Sequence, residues 1–174
     1  KLVANNYHNR VYDNPLLIIE NLSNPKHQLA ATIQLEGGAR SEGVTLIKKE
    51  QLKAIKIDEI SNRSVGVIET KEKGGKVGDV FISTKSYETL QNFFLQNDTS
   101  YFKISYQEYI DDIKTTCQKF NIPHHGSHGF RWTFAQNRVR EYQNHGYTYE
   151  QALQGVSWEM KHYRASITEH YLGH

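Results

Sequence analysis

The chain has 174 residues, 37% of them apolar and 23% charged, with a net charge of +2, which excludes a disordered chain and leaves room for an ordinary hydrophobic core. No apolar run approaches the length of a membrane-spanning helix, no secretory signal opens the chain, and the single Cys117 excludes an internal disulfide and fits a reducing compartment. The slight positive balance permits a local nucleic-acid-binding patch without arguing for one.

Residues 1–12 carry no periodicity and read as an arm or linker remnant, and the opening KLVANN suggests a piece of a longer protein. Asp13 and Asn14 ahead of PLLIIENL predict a first helix, with Pro15 tolerated in its first turn. A second helix is predicted after Asn24, with Leu29, Ala30 and Ile33 as its apolar stripe, stopping at Gly37-Gly38. ARSEGVTLIKKEQL reads as a short helix that turns Val44 and Ile47 inward. The β-branched runs KAIKIDEI, SVGVIETK and VGDVFIST predict a three-stranded antiparallel sheet, with a hairpin tip at Gly74-Gly75.

Helical spacing then returns in TKSYETLQNFFLQN and SYQEYIDDIKTTCQKF. After the loop NIPHHGS a long helix is predicted from about His128 to His145. Thr148 caps the next helix with Gln151 in the capping-box position, and Ala152, Val156 and Met160 form its apolar face. SITEHYL reads as a last short helix. Helices, a small sheet and helices again make an α+β, mostly helical fold with the sheet at one edge, in a single domain over residues 1–174.

Within this framework Arg131 is the most informative position. It shares a helical face with Phe134 and Ala135, so its guanidinium leaves from a partly apolar surface and needs an anionic partner. That partner is either an internal carboxylate, Glu42 or Glu141, or a bound phosphate, which arginine grips well with parallel donors. His128 lies one turn before it in a His-x-x-Arg pair. Arg40 follows the Gly37-Gly38 stop and is either a surface arginine beside Glu42 or a second phosphate ligand.

Lys73 sits near the hairpin tip, as a solvated turn lysine or as a mobile proton donor, with Lys71 and Lys76 as competitors. His162 precedes Tyr171 by nine residues, with a turn between them that lets both face one centre. Taken alone, His162 reads as an exposed helix-end histidine and Tyr171 as a packed terminal ring. The spacing of His124, His125 and His128 lacks the paired-ligand pattern of structural zinc sites.

Taken together, these segments resemble the tyrosine recombinases, the phage-integrase family. HGFRWTFAQNR is similar to the segment carrying that family's second catalytic arginine and its histidine, and GGARSEGVTL to the segment carrying the first arginine. KGGKVGDVFIS resembles the hairpin whose first lysine is catalytic, which favours Lys73 over Lys71. VSWEMKHYRASITEHYLG resembles the closing segment, in which a histidine precedes the nucleophilic tyrosine by nine residues. The four motifs follow the family's order and span Gly37 to Gly173. Lys161 stands where a glycine is usual before the second histidine, Trp132 where histidine is frequent, and Gly43 where an acidic residue is frequent. On the hairpin's returning strand, Gly78 and Phe81 replace the usual arginine and proline.

The resemblance implies a catalytic domain without the family's N-terminal DNA-clamping domain, acting on double-stranded DNA as a tetramer in a bacterial cytoplasm, with no metal, ATP or other cofactor. It implies that Tyr171 attacks a backbone phosphate, that Arg40, Arg131 and His162 hold the phosphate oxygens, that Lys73 protonates the leaving 5′-oxygen, and that His128 assists proton transfer. Rival expectations are a DNA-binding module of the same fold without the reaction, a type IB topoisomerase-like nicking enzyme, and a plain helical interaction domain.

Overall fold

The structure, a computed structural model, describes residues 10–71, 75 and 77–160. Two asparagine caps start its helical layer. The Asn14 side chain accepts from the Leu17 N–H at 3.3 Å and opens α1 (Pro15–Glu20), and the Asn24 side chain accepts from the Lys26 N–H at 2.9 Å and opens α2 (Pro25–Gly37). A proline follows each cap, where its missing N–H breaks no helical hydrogen bond. Gly38 ends α2 at φ 72°, the left-handed conformation in which glycine has no Cβ penalty, and its N–H returns to the Gln34 carbonyl.

The next segment departs from the sequence expectation. The helix α3 covers only Ser41–Thr45, and the chain then runs as a strand, β1 (Leu46–Lys48), followed by a single 3-10 turn at Lys49–Gln51. The physical reason is a switch to two-residue alternation. Leu46 and Lys48 face out while Ile47 is buried, and Ile47 pairs with Phe102 of β5 (Tyr101–Lys103). A pairing partner more than fifty residues downstream leaves no local signal, and the β-branched Ile47 fits a strand better than a helix. The inward placement of Val44 and Ile47 is as expected.

The main sheet has the order β2 (Leu52–Asp58), β3 (Arg63–Lys71), β4 (Val77–Ser83), all antiparallel. The central strand β3 is buried through Val65, Gly66, Val67 and Ile68, while the edge strand β2 leaves Ile55 and Ile57 exposed. The face of the sheet packs on α4 (Thr84–Gln96), and α5 (Tyr106–Lys119) completes the main core with Tyr109 and Ile113. The long helix α6 (His128–Asn144) packs against α2 on one side and α7 (Tyr149–Glu159) on the other. Thr148 and Gln151 form the expected capping box. The α+β, mostly helical architecture with a small three-stranded antiparallel sheet is the one the sequence predicts. No helix among the described residues is long and apolar enough to cross a membrane.

An ion-pair network that the sequence reading did not anticipate joins sheet to helices. Arg138 of α6, 5% exposed, donates to both Asp58 oxygens at 2.7 and 3.1 Å, to Glu141 at 3.1 Å and to Glu159 at 2.8 Å. Burial opposes the charge on Asp58, but the bonds from Arg138 and Ser61 outweigh it and hold the carboxyl well below the usual range. Removing the guanidinium leaves Asp58 buried and charged, with no alternative donor of equal strength. Arg138→Ala is therefore expected to lower the unfolding free energy by about 3–5 kcal/mol, measured by chemical denaturation. A change of only a few tenths would show that the pair is dispensable.

Candidate active site

The site starts from the turn at the end of α2. Gln34, fully buried, donates to the Ala39 carbonyl at 3.1 Å and accepts from the Tyr109 hydroxyl at 2.6 Å. This chain of bonds fixes the backbone just before Arg40, which sits in an extended conformation at the N-terminus of α3 and is half-buried. A Cβ on Gly38 would lie 2.4 Å from Phe134 of α6, so glycine also lets the turn come against that helix.

Arg131 closes the same junction from the other side. It is fully buried, and its Nε donates to the Gly38 carbonyl at 2.7 Å while Nη2 donates to the Met160 carbonyl at 2.8 Å. Three chain segments thus meet at one guanidinium: the turn before Arg40, α6, and the end of α7. Of the two carboxylates expected as alternative partners, Glu141 instead pairs with Arg63 at 2.7 Å and with Arg138. Carbonyl dipoles satisfy donors without carrying net charge, so these two bonds leave the arginine's positive charge in place.

His128 registers that charge. It is the first residue of α6, beside Ser127, whose hydroxyl shares a 2.7 Å hydrogen bond with that of Ser41 in α3. Desolvation, then the charges of Arg131 and Arg40, bring its pKa down to about 4, against the opposing pull of Glu42. Arg40, His128 and Arg131 are therefore gathered at one junction of α2, α3 and α6. The other three expected site residues, Lys73, His162 and Tyr171, lie outside the described residues. A groove of about 520 Å³ runs from Glu42 and Gly43 of α3 to Thr70 and Lys71 at the end of β3 and Val77 at the start of β4.

Sequence reasoning missed two contributors to this junction. Tyr12, assigned to an arm, is 2% exposed and packs against the first turn of α6, where a Cβ on Gly129 would lie 2.3 Å from its ring. Trp132 is buried, with the Arg10 guanidinium 5.7 Å from its ring centroid. An aromatic two residues before the helix cap Asn14, with the close-approach glycine in HGFR, was the available signal for the first.

A scan against protein-family models finds no match, and a search of curated proteins finds none. Among solved structures the chain is similar to XerH site-specific recombinase bound to palindromic difH substrate in a post-cleavage complex, at 14% identity and a TM-score of 0.70, covering 92% of this chain and 48% of that one. It is likewise similar to XerH bound to difH substrate in a pre-cleavage complex, at 15% identity and a TM-score of 0.67, covering 92% and 49%. The fold is the tyrosine-recombinase catalytic fold. At this identity the likeness extends to the fold alone, and the chain spans about half the length of the recombinase chains it matches.

The depressed pKa of His128 has a measurable consequence. A histidine neutral in the fold but protonated near pH 6.5 when unfolded makes a contribution to stability that is complete above about pH 6.5 and is lost as pH falls towards 4. NMR titration of the DNA-free chain is expected to place the His128 midpoint near 4, and Arg40→Ala is expected to raise it. A midpoint above 6 in the unsubstituted chain would mean that the ring is neither buried nor beside the two arginines.

Proposed function

We propose that this chain is the catalytic part of a tyrosine-type site-specific DNA recombinase, which cuts and rejoins strands through a 3′-phosphotyrosyl intermediate. The observation that carries the reading is the gathering of Arg40 and Arg131 around His128, on a fold shared with a recombinase solved on its DNA substrate. A backbone phosphodiester is an anion that both arginines suit, since a guanidinium grips phosphate oxygens with parallel donors.

In this reading Tyr171 supplies the nucleophile. Its oxygen forms a bond to phosphorus as the bond from phosphorus to the 5′-oxygen breaks. The phenolic proton passes to a nearby acceptor, and Lys73 gives a proton to the leaving oxygen. Rejoining reverses each transfer, so the energy of the phosphodiester is conserved in the tyrosyl ester. Arg40, Arg131 and His162 hold the non-bridging oxygens where negative charge grows. His128, unprotonated at neutral pH, is competent as an acceptor, and an anion bound between it and the arginines raises its proton affinity when the transfer is needed.

The bond from Arg131 to the Met160 carbonyl gives this scheme a mechanical basis, because Met160 leads directly into the segment that carries His162 and Tyr171. Strand exchange between two duplexes requires several such chains on DNA, and the tetramer belongs to the same proposal.

The test is covalent trapping on nicked suicide duplexes. The unsubstituted protein is expected to form an adduct that survives denaturant. Tyr171→Phe is expected to bind DNA equally and form no adduct. An unsubstituted protein that binds duplex DNA yet never traps it would instead identify a non-catalytic binding module, and an adduct on Tyr147 or Tyr163 would displace Tyr171 as nucleophile.

A further inference from the structure

The segment before α1 is built into the same junction. Tyr12 is held at both ends. Its backbone N–H donates to the Thr133 hydroxyl at 3.1 Å, its phenol donates to the Gly126 carbonyl at 2.8 Å, and that phenol accepts from the His125 N–H at 2.9 Å. The ring also packs on Phe130, with centroids 5.0 Å apart. These contacts fix the backbone two residues from Arg10, so Arg10 has only about 7 Å of chain in which to wander.

From that seat the Arg10 guanidinium reaches the Trp132 ring, within the range of a cation–π contact. Its charge also counts among the causes that lower the pKa of both His125 and His128. Among the described residues, the charged groups that act on His128 are the cations Arg131, Arg40 and Arg10 and the carboxylate Glu42. Cations gathered at one junction act together on a polyanion that lies across it. Trp132 follows Arg131 directly and is buried, so the platform beneath Arg10 is as firmly placed as the site itself.

We propose that Arg10 is a DNA-phosphate ligand of this site, taking the backbone phosphate next to the one held by Arg40 and Arg131, with Tyr12 and Trp132 fixing its position. The proposal rests on the DNA reading above and adds to it a residue outside the six expected from the sequence. Arg10 is a binding residue here and touches no reacting atom.

The experiment measures binding of a random-sequence linear duplex as a function of salt, for the unsubstituted chain, Arg10→Ala and Arg10→Lys. Loss of one phosphate contact is expected to reduce the slope of log K against log salt by about 0.9 and to weaken binding at low salt by roughly tenfold. Arg10→Lys is expected to retain most of the slope. Because Arg10 is exposed, thermal melting is expected to be unchanged, and the His128 NMR midpoint is expected to rise in Arg10→Ala because one cation has gone. An Arg10→Ala chain that binds with the parent's slope and affinity overturns the proposal and leaves the recombinase reading standing. An unsubstituted chain without salt-dependent duplex binding overturns the DNA reading itself.

Discussion

The guanidinium of Arg131 is the constraint on which the site depends. A fully buried cation of this size is costly to desolvate, and the fold meets the cost with the carbonyls of Gly38 and Met160. Both carbonyls belong to residues at helix ends, Gly38 capping α2 and Met160 capping α7, where backbone acceptors lack intrahelical partners. The same bonds that settle Arg131 therefore complete two helix termini. They also fix the backbone just before Arg40 on one side and the end of α7 on the other.

Two turns further along α6, Arg138 solves the same physical problem in the opposite way. It takes full carboxylates, Asp58, Glu141 and Glu159, so its positive charge is cancelled where it stands. The Tyr142 hydroxyl completes that cluster by donating to Glu159. A cation neutralised in this manner can hold β2 to α6 and α7, but it has little attraction left for a ligand. Arg131 donates to two backbone carbonyls, and its charge acts on His128. One helix thus carries one buried arginine held by carboxylates and another that donates to backbone carbonyls.

Much of this was legible in the sequence because its signals are local. The Asn14 and Asn24 caps, the Gly38 stop, the Thr148–Gln151 box and the alternating runs of the sheet each follow from residues within a few positions of one another. What was not legible depends on distant partners. Ile47 becomes a strand residue only because Phe102 lies opposite, and Arg138 finds Asp58 eighty residues away across the fold. Arg40, His128 and Arg131 were picked out by residue type and order, yet the support beneath them was not. The link from Tyr109 through Gln34 to Ala39, and the buried Tyr12, use ordinary residues that no spacing rule distinguishes.

The pair Tyr12 and Gly129 shows how the site and the chain entry constrain each other. Gly129 is the first of the two residues between His128 and Arg131, and any side chain there would occupy the space of the Tyr12 ring. The ring in turn packs on the first turn of α6, while its one hydroxyl, which both donates and accepts, ties down the His125–Gly126 loop. Burial pushes that phenol's pKa well above its ordinary value, so the hydroxyl keeps its proton and can go on donating. A substitution at Gly129 would have to displace the ring, and displacing the ring would release both the turn that begins with His128 and the backbone that presents Arg10. The glycine in HGFR is accordingly a packing requirement with a functional consequence. It contributes no chemistry, but it allows the segment ahead of α1 to be clamped to the helix that carries the site.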